Sequence, residues 1–133
     1  MSTTAVLLAV NGTLMRGLKL NSNMLAAGAS FVRATRTEPA YRLWSVNDDH
    51  PAMIRVADGS GVAVVVEVWS VPGAGLAAIL LNEPPGLSIG KVRLADGSTV
   101  LGVLGEPALV EKQREIMPYG DWRAYLAAQD FAS

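Results

Sequence analysis

Glu83 is the carboxylate of this chain whose surroundings best suit proton transfer. It follows an apolar stretch at residues 76–81 and precedes the rigid segment Pro84-Pro85-Gly86. The negative end of a helix and partial burial would both raise the pKa of its carboxyl group, toward the range in which such a group exchanges protons near neutral pH. Glu83 is therefore our candidate catalytic acid or base. An exposed glutamate at a helix end is the alternative, and the sequence leaves both open.

A loop of small residues could present backbone donors to a ligand. It follows an uncharged apolar run, Ala5–Val10, which predicts a strand buried on both faces. Gly12 lets the backbone turn sharply and expose its N–H groups, which suit anionic or carbonyl oxygens. Thr13 would add a hydroxyl donor to the chemistry. The candidate substrate-binding residues of the loop are Asn11, Gly12, Leu14, Met15 and Arg16. A plain turn at the strand end is the alternative.

Two arginines are candidates for holding a carboxylate. Arg16 lies just past the glycine loop, and Arg55 lies on a strand that could neighbour the first one. Each could equally be a surface strand arginine. Glu67 stands inside a run of valines, where we expect it to face solvent or to pair with an arginine rather than to act in catalysis.

Few residues could hold a metal or form a nucleophilic site. The chain has no cysteine and one histidine, His50, which disfavours thiolate sites, multi-histidine sites and a Ser-His-Asp triad. Asp48, Asp49 and His50 are adjacent, but adjacent side chains rarely converge on one ion, so residues 47–51 are expected to form a solvated polar loop. We expect no metal and no cofactor.

The composition limits the partners. The 133 residues suit one domain, spanning 1–133, and half of them are hydrophobic, which favours either an apolar core or surface covered by a partner. The net charge is −1 and no basic run occurs, so neither nucleic acid nor an anionic membrane is an expected partner. We find no signal peptide and no run long enough to span a membrane, which favours a cytoplasmic protein.

The segments predict an α+β fold with about six strands in a mixed, partly closed sheet and a few short helices. Asp-Gly turns at Asp58 and Asp96 each join two β-branched runs and predict two hairpins. Asn21-Ser22-Asn23 offers N-cap side chains to a short helix that ends at Gly28. The predicted helices cover residues 24–27, 72–81 and 121–129, and the clearest strands cover residues 5–10, 31–35, 41–46, 62–71 and 99–104.

The chain resembles gamma-glutamylcyclotransferase-like domains, in which a first strand leads into a Tyr-Gly-Ser/Thr-Leu loop. Gly12-Thr13-Leu14 matches the last three positions, and Asn11 stands in place of the aromatic residue. A closer resemblance, over nearly the whole chain, is to the C-terminal domain of allophanate hydrolase. The segments that carry it are residues 17–21, 27–29, 34–43, 66–69, 87–92 and 122–126.

The resemblance implies a small enzyme of urea and nitrogen metabolism. The loop backbone would bind a small carboxylate or amide, and Glu83 would move a proton while the substrate loses carbon dioxide. One alternative is a cyclotransferase that releases 5-oxoproline from a gamma-glutamyl amine. Another is a non-catalytic module that assembles with a separate amidase or forms a homodimer, since nothing in the chain resembles the amidase's own Ser/Lys machinery.

Overall fold

Two β-sheets flanked by short helices make up the computed structural model, which describes residues 4–116 and 120–132. The α+β class expected from the sequence is confirmed, with eight strands in the described residues where about six were predicted. In chain order the elements are β1 (Ala5–Val10), α1 (Asn21–Ala26), β2 (Ser30–Arg36), β3 (Tyr41–Val46), β4 (His50–Arg55), β5 (Val65–Pro72), α2 (Gly73–Leu81), β6 (Leu87–Arg93), β7 (Thr99–Gly105), a 3₁₀ turn (Pro107–Val110), β8 (Arg114–Glu115) and α3 (Trp122–Ala132).

The larger sheet has β1 at its centre, in the order β2-β5-β1-β7-β6. Strand β1 pairs antiparallel with β5 and parallel with β7, so that Leu8 lies opposite both Trp69 and Leu101. Its second half, from Leu8 to Val10, is fully buried, as the uncharged apolar run predicted, whereas its first half lies nearer the surface. The loop after β1 therefore starts from the most enclosed part of the sheet.

The smaller sheet has the order β4-β3-β8, and it packs against the larger one where β4 meets β7. A Cβ built on Gly105 would lie 2.8 Å from the Cβ of Ala52, so glycine is needed for this close approach. Leu43 and Met53 of the smaller sheet join Leu8 of the larger one in a single apolar core. This contact brings β4 beside the end of β1.

Residues 47–51 do not form the solvated loop that the sequence predicted. Asn47 and Asp48 both have positive φ, of 54° and 56°, and they make a tight turn between β3 and β4. Strand β4 therefore begins at His50, opposite Val46, and both His50 and Pro51 are buried. Of this segment, only residues 47–49 remain exposed.

One of the two predicted hairpins forms and the other does not. Asp96-Gly97 joins β6 to β7 in a regular antiparallel pair, as predicted. Asp58-Gly59 instead lies in a crossing between sheets, because β4 pairs with β3 whereas β5 pairs with β1 and β2. Val62 on this crossing exchanges backbone hydrogen bonds with Tyr41, which directs the chain away from β4.

The helices lie close to their predicted positions. Helix α1 begins at Asn21 without a side-chain cap, and the Asn21 side chain instead donates to the Leu14 carbonyl oxygen at 2.8 Å, so the predicted capping role is wrong. Gly28 ends this helix region with a φ of +81°, as expected. Asp121 accepts hydrogen bonds from two backbone N–H groups in the first turn of α3.

No helix in the described ranges is long and apolar enough to cross a membrane.

Candidate functional site

A recess of about 250 Å³, including its open mouth, lies where β1, β4 and β7 meet the segment that follows α2. The enclosed part is small, with a cavity volume of about 20 Å³ that holds about one water molecule, so a larger ligand would occupy the open mouth. Five of the lining residues were candidates from the sequence and five were not. The lining consists of Val10, Asn11, Gly12, Thr13, Leu14, His50, Pro51, Glu83, Leu87 and Val103.

The loop after β1 offers backbone donors to this recess. Within residues 4–116 and 120–132, the N–H groups of Gly12, Thr13 and Leu14 donate to no protein acceptor, although all three residues are buried. The Met15 N–H donates to the Gly12 carbonyl oxygen at 2.9 Å, so these residues form a turn whose own N–H groups are left for another acceptor. Neighbouring backbone N–H groups of this kind can bind an anionic or carbonyl oxygen.

Gly12 is required by a close contact and not by its backbone conformation. Its φ is not positive, in contrast to the φ of +76° at Gly17. A Cβ on Gly12 would lie 2.4 Å from two ring carbons of Pro51. The loop therefore lies directly against β4, which brings the free N–H groups beside the first residues of that strand.

Asn11 and Thr13 add side-chain groups to the same lining. The Asn11 amide nitrogen donates to the Val103 carbonyl oxygen at 3.0 Å, which fixes the side chain against β7 and leaves its oxygen as an acceptor without a protein partner among the described residues. The Thr13 hydroxyl likewise makes no hydrogen bond to the described part of the chain, and Thr13 is 6% exposed. Both side chains are thus available to a ligand.

Glu83 lies at the edge of the recess, two residues beyond α2. Its backbone N–H donates to the Leu80 carbonyl oxygen at 3.1 Å, which extends the helix end and fixes the position of the residue. No described residue pairs with its carboxylate. Burial therefore acts alone on this group and raises its pKa from 4.5 to about 7. The Glu83 carboxyl is half protonated near neutral pH and can serve as acid or base.

His50 lines the recess from β4, and it was not among the candidate site residues named from the sequence. It is only 5% exposed, and its Nδ1 lies 3.1 Å from the Pro51 carbonyl oxygen. The recess therefore holds two titratable side chains, His50 and Glu83, and none of its lining residues is a lysine or an arginine.

Three candidate residues lie elsewhere. Met15 is fully buried in the core. Arg16 turns toward Glu67, and Arg55 forms an ion pair with Glu38 at 2.9 Å on the surface of the smaller sheet. The recess therefore lacks the arginine that the sequence led us to expect, because both candidate arginines have carboxylate partners of their own.

Glu67 is the partner that holds Arg16, as the sequence reading of this glutamate allowed. Its carboxylate is 1% exposed and accepts from the Arg16 backbone N–H at 2.9 Å, from Arg16 Nε at 3.1 Å and from Trp69 Nε1 at 3.2 Å. Arg123 Nη2 adds a longer contact at 3.4 Å. Burial acts to raise the pKa of Glu67, but these donors prevail and hold it below its ordinary value. Arg16 also lies over the Phe31 ring, 3.7 Å from its centre.

The other polar groups named from the sequence do not form a metal site. In the described ranges, no group of three or more histidine, aspartate or glutamate side chains could hold an ion. Asp48 accepts hydrogen bonds from Ser45 and Tyr125, and Asp49 pairs with Lys19. Both carboxylates thus have hydrogen-bond or ion-pair partners other than His50.

His50, Pro51, Leu87 and Val103 are the lining residues, besides Val10, that sequence reasoning missed. The apolar ones look like any other core residue of a strand. His50 could have been found from the turn before it, because two residues that tolerate positive φ at positions 47 and 48 predict a hairpin with β4 starting at once.

The chain matches a known protein family over most of its length. The model of the allophanate hydrolase C-terminal domain matches residues 6–127. The urea amidolyase of Saccharomyces cerevisiae is 30% identical over 128 residues, which are 92% of this chain and 7% of that protein. The chain thus spans about 7% of the length of this curated relative.

Solved structures show the same fold. A uropathogenic E. coli-specific protein is 61% identical with a TM-score of 0.91, and the match covers 93% of this chain and 97% of that one. Kluyveromyces lactis allophanate hydrolase is 27% identical with a TM-score of 0.89, and the match covers 94% of this chain and 21% of that one. An AIG2-like protein from Mus musculus, 21% identical with a TM-score of 0.58 over 79% of this chain and 78% of that one, shares the fold alone.

The recess lined by the loop after β1 lies within the matched residues, as does Glu83. The family match over residues 6–127 shows that the chain belongs to the allophanate hydrolase C-terminal domain family. Its fold is gamma-glutamylcyclotransferase-like.

Proposed function

We propose that the recess binds a small carboxylated amide or urea-type metabolite and promotes the loss of carbon dioxide from it, with Glu83 as the proton donor. The observation that carries this proposal is the position of an unpaired, half-buried carboxyl group at the same recess as three free backbone N–H groups. The first group moves a proton, and the others hold an oxygen of the ligand.

The polar groups of the recess suit an amide that also bears a carboxylate. The N–H groups of Gly12, Thr13 and Leu14 and the Thr13 hydroxyl can donate to ligand oxygens. The Asn11 amide oxygen can accept from a ligand N–H group. Because no lysine or arginine lines the recess, oxygen recognition relies on these neutral donors. A ligand with both carbonyl oxygens and an N–H group can satisfy both kinds of lining group.

The proposed step needs one proton and no cofactor. In an N-carboxylated amide, the bond between nitrogen and the carboxylate carbon breaks, and its electron pair stays on nitrogen. The nitrogen takes a proton from the Glu83 carboxyl, carbon dioxide leaves, and water returns a proton to Glu83. A carboxyl pKa of about 7 suits both the donation and the return near neutral pH. Thr13 supports the step through its hydroxyl.

The metabolic setting of the relatives supports this chemistry. Urea amidolyase and allophanate hydrolase carry this domain as a small part of longer chains. An amidase that produces a carboxylated fragment is the partner that would supply the substrate. We propose that residues 1–133 act as one domain that takes the product of such an amidase.

The test supplies the substrate with a separate enzyme. An allophanate hydrolase truncated before its C-terminal domain would convert ¹³C-labelled allophanate to the carboxylated product, and ¹³C NMR would follow its conversion to bicarbonate. We expect this protein to accelerate that step and Glu83→Gln to lose about 100-fold or more of the acceleration. Glu106→Gln, a change at an exposed glutamate, is the matched control and should leave the rate unchanged.

Two outcomes would contradict the proposal. If the folded protein leaves the rate at its uncatalysed value, the recess does not perform this decarboxylation. If the same preparation releases 5-oxoproline from a gamma-glutamyl dipeptide, with loss in Glu83→Gln, the cyclotransferase reaction is the activity instead. In that case Glu83 acts as the base that frees the substrate's α-amine.

A further inference from the structure

One ring nitrogen of His50 has a protein partner and the other does not. Nδ1 lies 3.1 Å from the Pro51 carbonyl oxygen. A carbonyl oxygen can only accept a hydrogen bond, so Nδ1 carries the hydrogen. In the neutral ring, Nε2 then holds a lone pair. Across residues 4–116 and 120–132, no protein group donates to this nitrogen.

The free nitrogen is not sealed inside the protein. His50 is 5% exposed, and every described side-chain nitrogen or oxygen that is fully shut off from solvent has a hydrogen-bond partner. Nε2 has none, so it must keep contact with open space. The recess is the cavity that His50 lines. An unpaired acceptor of this kind in a nearly buried side chain favours ligands that can donate to it.

A ligand made only of carboxylates cannot satisfy this nitrogen. Carboxylate oxygens accept hydrogen bonds, and a methylene group between two carboxylates gives no useful donor. An N–H group between two carbonyl carbons is a donor at the centre of the ligand. A recess that places a lone pair opposite this N–H would reject the methylene analogue, which leaves the acceptor unpaired.

We propose that His50 Nε2 accepts a hydrogen bond from a ligand N–H group that lies between two carbonyl carbons, and so selects carboxylated amides over their methylene analogues. This inference rests on the proposed function of the same recess. It adds His50 as a specificity-determining residue, whereas Glu83 and the backbone donors of the loop deal with the proton and the oxygens.

The chain has one histidine, so its ring gives a single, assigned set of NMR signals. Biuret and malonamide have the same shape and differ in a central NH or CH₂ group. With ¹⁵N-labelled protein, we expect both ligands to shift the amide signals of Gly12, Thr13 and Leu14. We expect only biuret to shift the His50 Nε2 signal and to bind roughly tenfold more tightly. In the free protein, the ¹⁵N shifts should show the hydrogen on Nδ1.

Malonate separates failure of this inference from failure of the proposed function. If malonate or malonamide shifts the loop amides while biuret leaves Nε2 unchanged, the recess binds its ligands without His50 and the inference is wrong. A hydrogen on Nε2 in the free protein would also overturn it. If none of the three ligands shifts the loop amides or the ring, both the inference and the proposed function fail.

Two substitutions at His50 test the lone pair itself. In His50→Asn, the amide nitrogen can still donate to the Pro51 carbonyl oxygen, but nothing replaces Nε2. In His50→Gln, the longer side chain places an amide oxygen near the position of Nε2. We expect the preference for biuret to disappear in the first variant and to persist in the second. If the preference survives in folded His50→Asn, the Asn11 oxygen carries it and the inference is wrong.

Discussion

Glu67 and Glu83 are two glutamates in apolar surroundings with opposite properties. Glu67 lies within β5 and accepts hydrogen bonds from Arg16 and Trp69, which hold its pKa below the ordinary value despite burial. Glu83 lies beyond α2 with no partner for its carboxylate among the described residues, and burial raises its pKa to about 7. Burial is common to both carboxylates, so partners decide which one is structural and which one is free for chemistry.

The loop after β1 lies near both carboxylates. Its first half, residues 11–14, lines the recess with Glu83, whereas Arg16 pairs with Glu67 through its backbone N–H and its guanidinium group. The two glutamates also affect stability with opposite dependence on pH. The contribution of Glu67 is present above its unfolded-state pKa and is lost as the pH falls through its lower folded-state value. The cost of Glu83 grows as the pH rises from 4.5 to about 7.

Glu67→Ala is expected to have the largest effect on stability. It leaves the indole N–H of Trp69 and the backbone N–H of Arg16 without an acceptor, and it removes the partner of the Arg16 guanidinium group. We expect the free energy of unfolding to fall by about 3 kcal/mol, measured by urea denaturation at pH 7. Glu67→Gln keeps one acceptor oxygen, so its free energy of unfolding should fall by less. If Glu67→Ala has the same free energy of unfolding as the wild type, the contacts of this carboxylate do not stabilise the fold.

Glu83→Gln is expected to stabilise the protein at high pH. The folded-state pKa of about 7 lies above the unfolded value of 4.5, so the wild type loses stability as the pH rises between these values. Glutamine does not titrate. After allowing for solvent at the mouth of the recess, we expect the variant to gain about 1–2 kcal/mol over the wild type on going from pH 4.5 to pH 8.

Thermal unfolding at the two pH values measures this gain as a difference of a few degrees in Tm. Glu106→Gln, which removes an exposed carboxylate, controls for the change in net charge. A constant difference between Glu83→Gln and the wild type across this range would mean that Glu83 titrates normally. It would then resemble the exposed helix-end glutamate that the sequence also allowed.

Arg16→Ala is expected to have the smallest effect. The Arg16 side chain is 51% exposed, and the backbone N–H that binds Glu67 remains in the variant. We expect a loss of about 1 kcal/mol or less in unfolding free energy and a malonate affinity within about twofold of the wild-type value. Calorimetric titration with malonate measures the affinity. Loss of binding in this variant would mean that Arg16 acts in the recess, as the sequence led us to expect.

The two Asp-Gly-Ser turns show how far local sequence determines this fold. In both, an aspartate oxygen accepts from the backbone N–H and the hydroxyl of the serine two residues later. The turn at Asp96 joins β6 to β7, and the turn at Asp58 lies on a crossing between sheets. The same turn chemistry predicted two hairpins, and only the one at Asp96 forms. The pairing of the strands depends on burial against distant residues, which local sequence does not contain.

Some residues of the candidate site could be named from the sequence, and others only from the structure. The glycine loop and Glu83 could be named from the sequence, because a buried strand leading into small residues and an acid beyond an apolar helix are local patterns. That they line one recess depends on how α2 packs against β5 and β6. His50 was missed because its burial depends on the pairing of β3 with β4 and on the contact of Pro51 with Gly12.

The sequence by itself determined the α+β class, most of the elements and the family resemblance, and it named Gly12 and Glu83 as candidates for the site. It did so because apolar periodicity, turn residues and helix ends are properties of neighbouring residues. Only the tertiary structure decided which carboxylate is paired, which arginines are occupied and which nitrogen of His50 is free. Each of these depends on groups distant in the chain, such as Arg16 and Glu67, whose contact exists only once the sheet has formed.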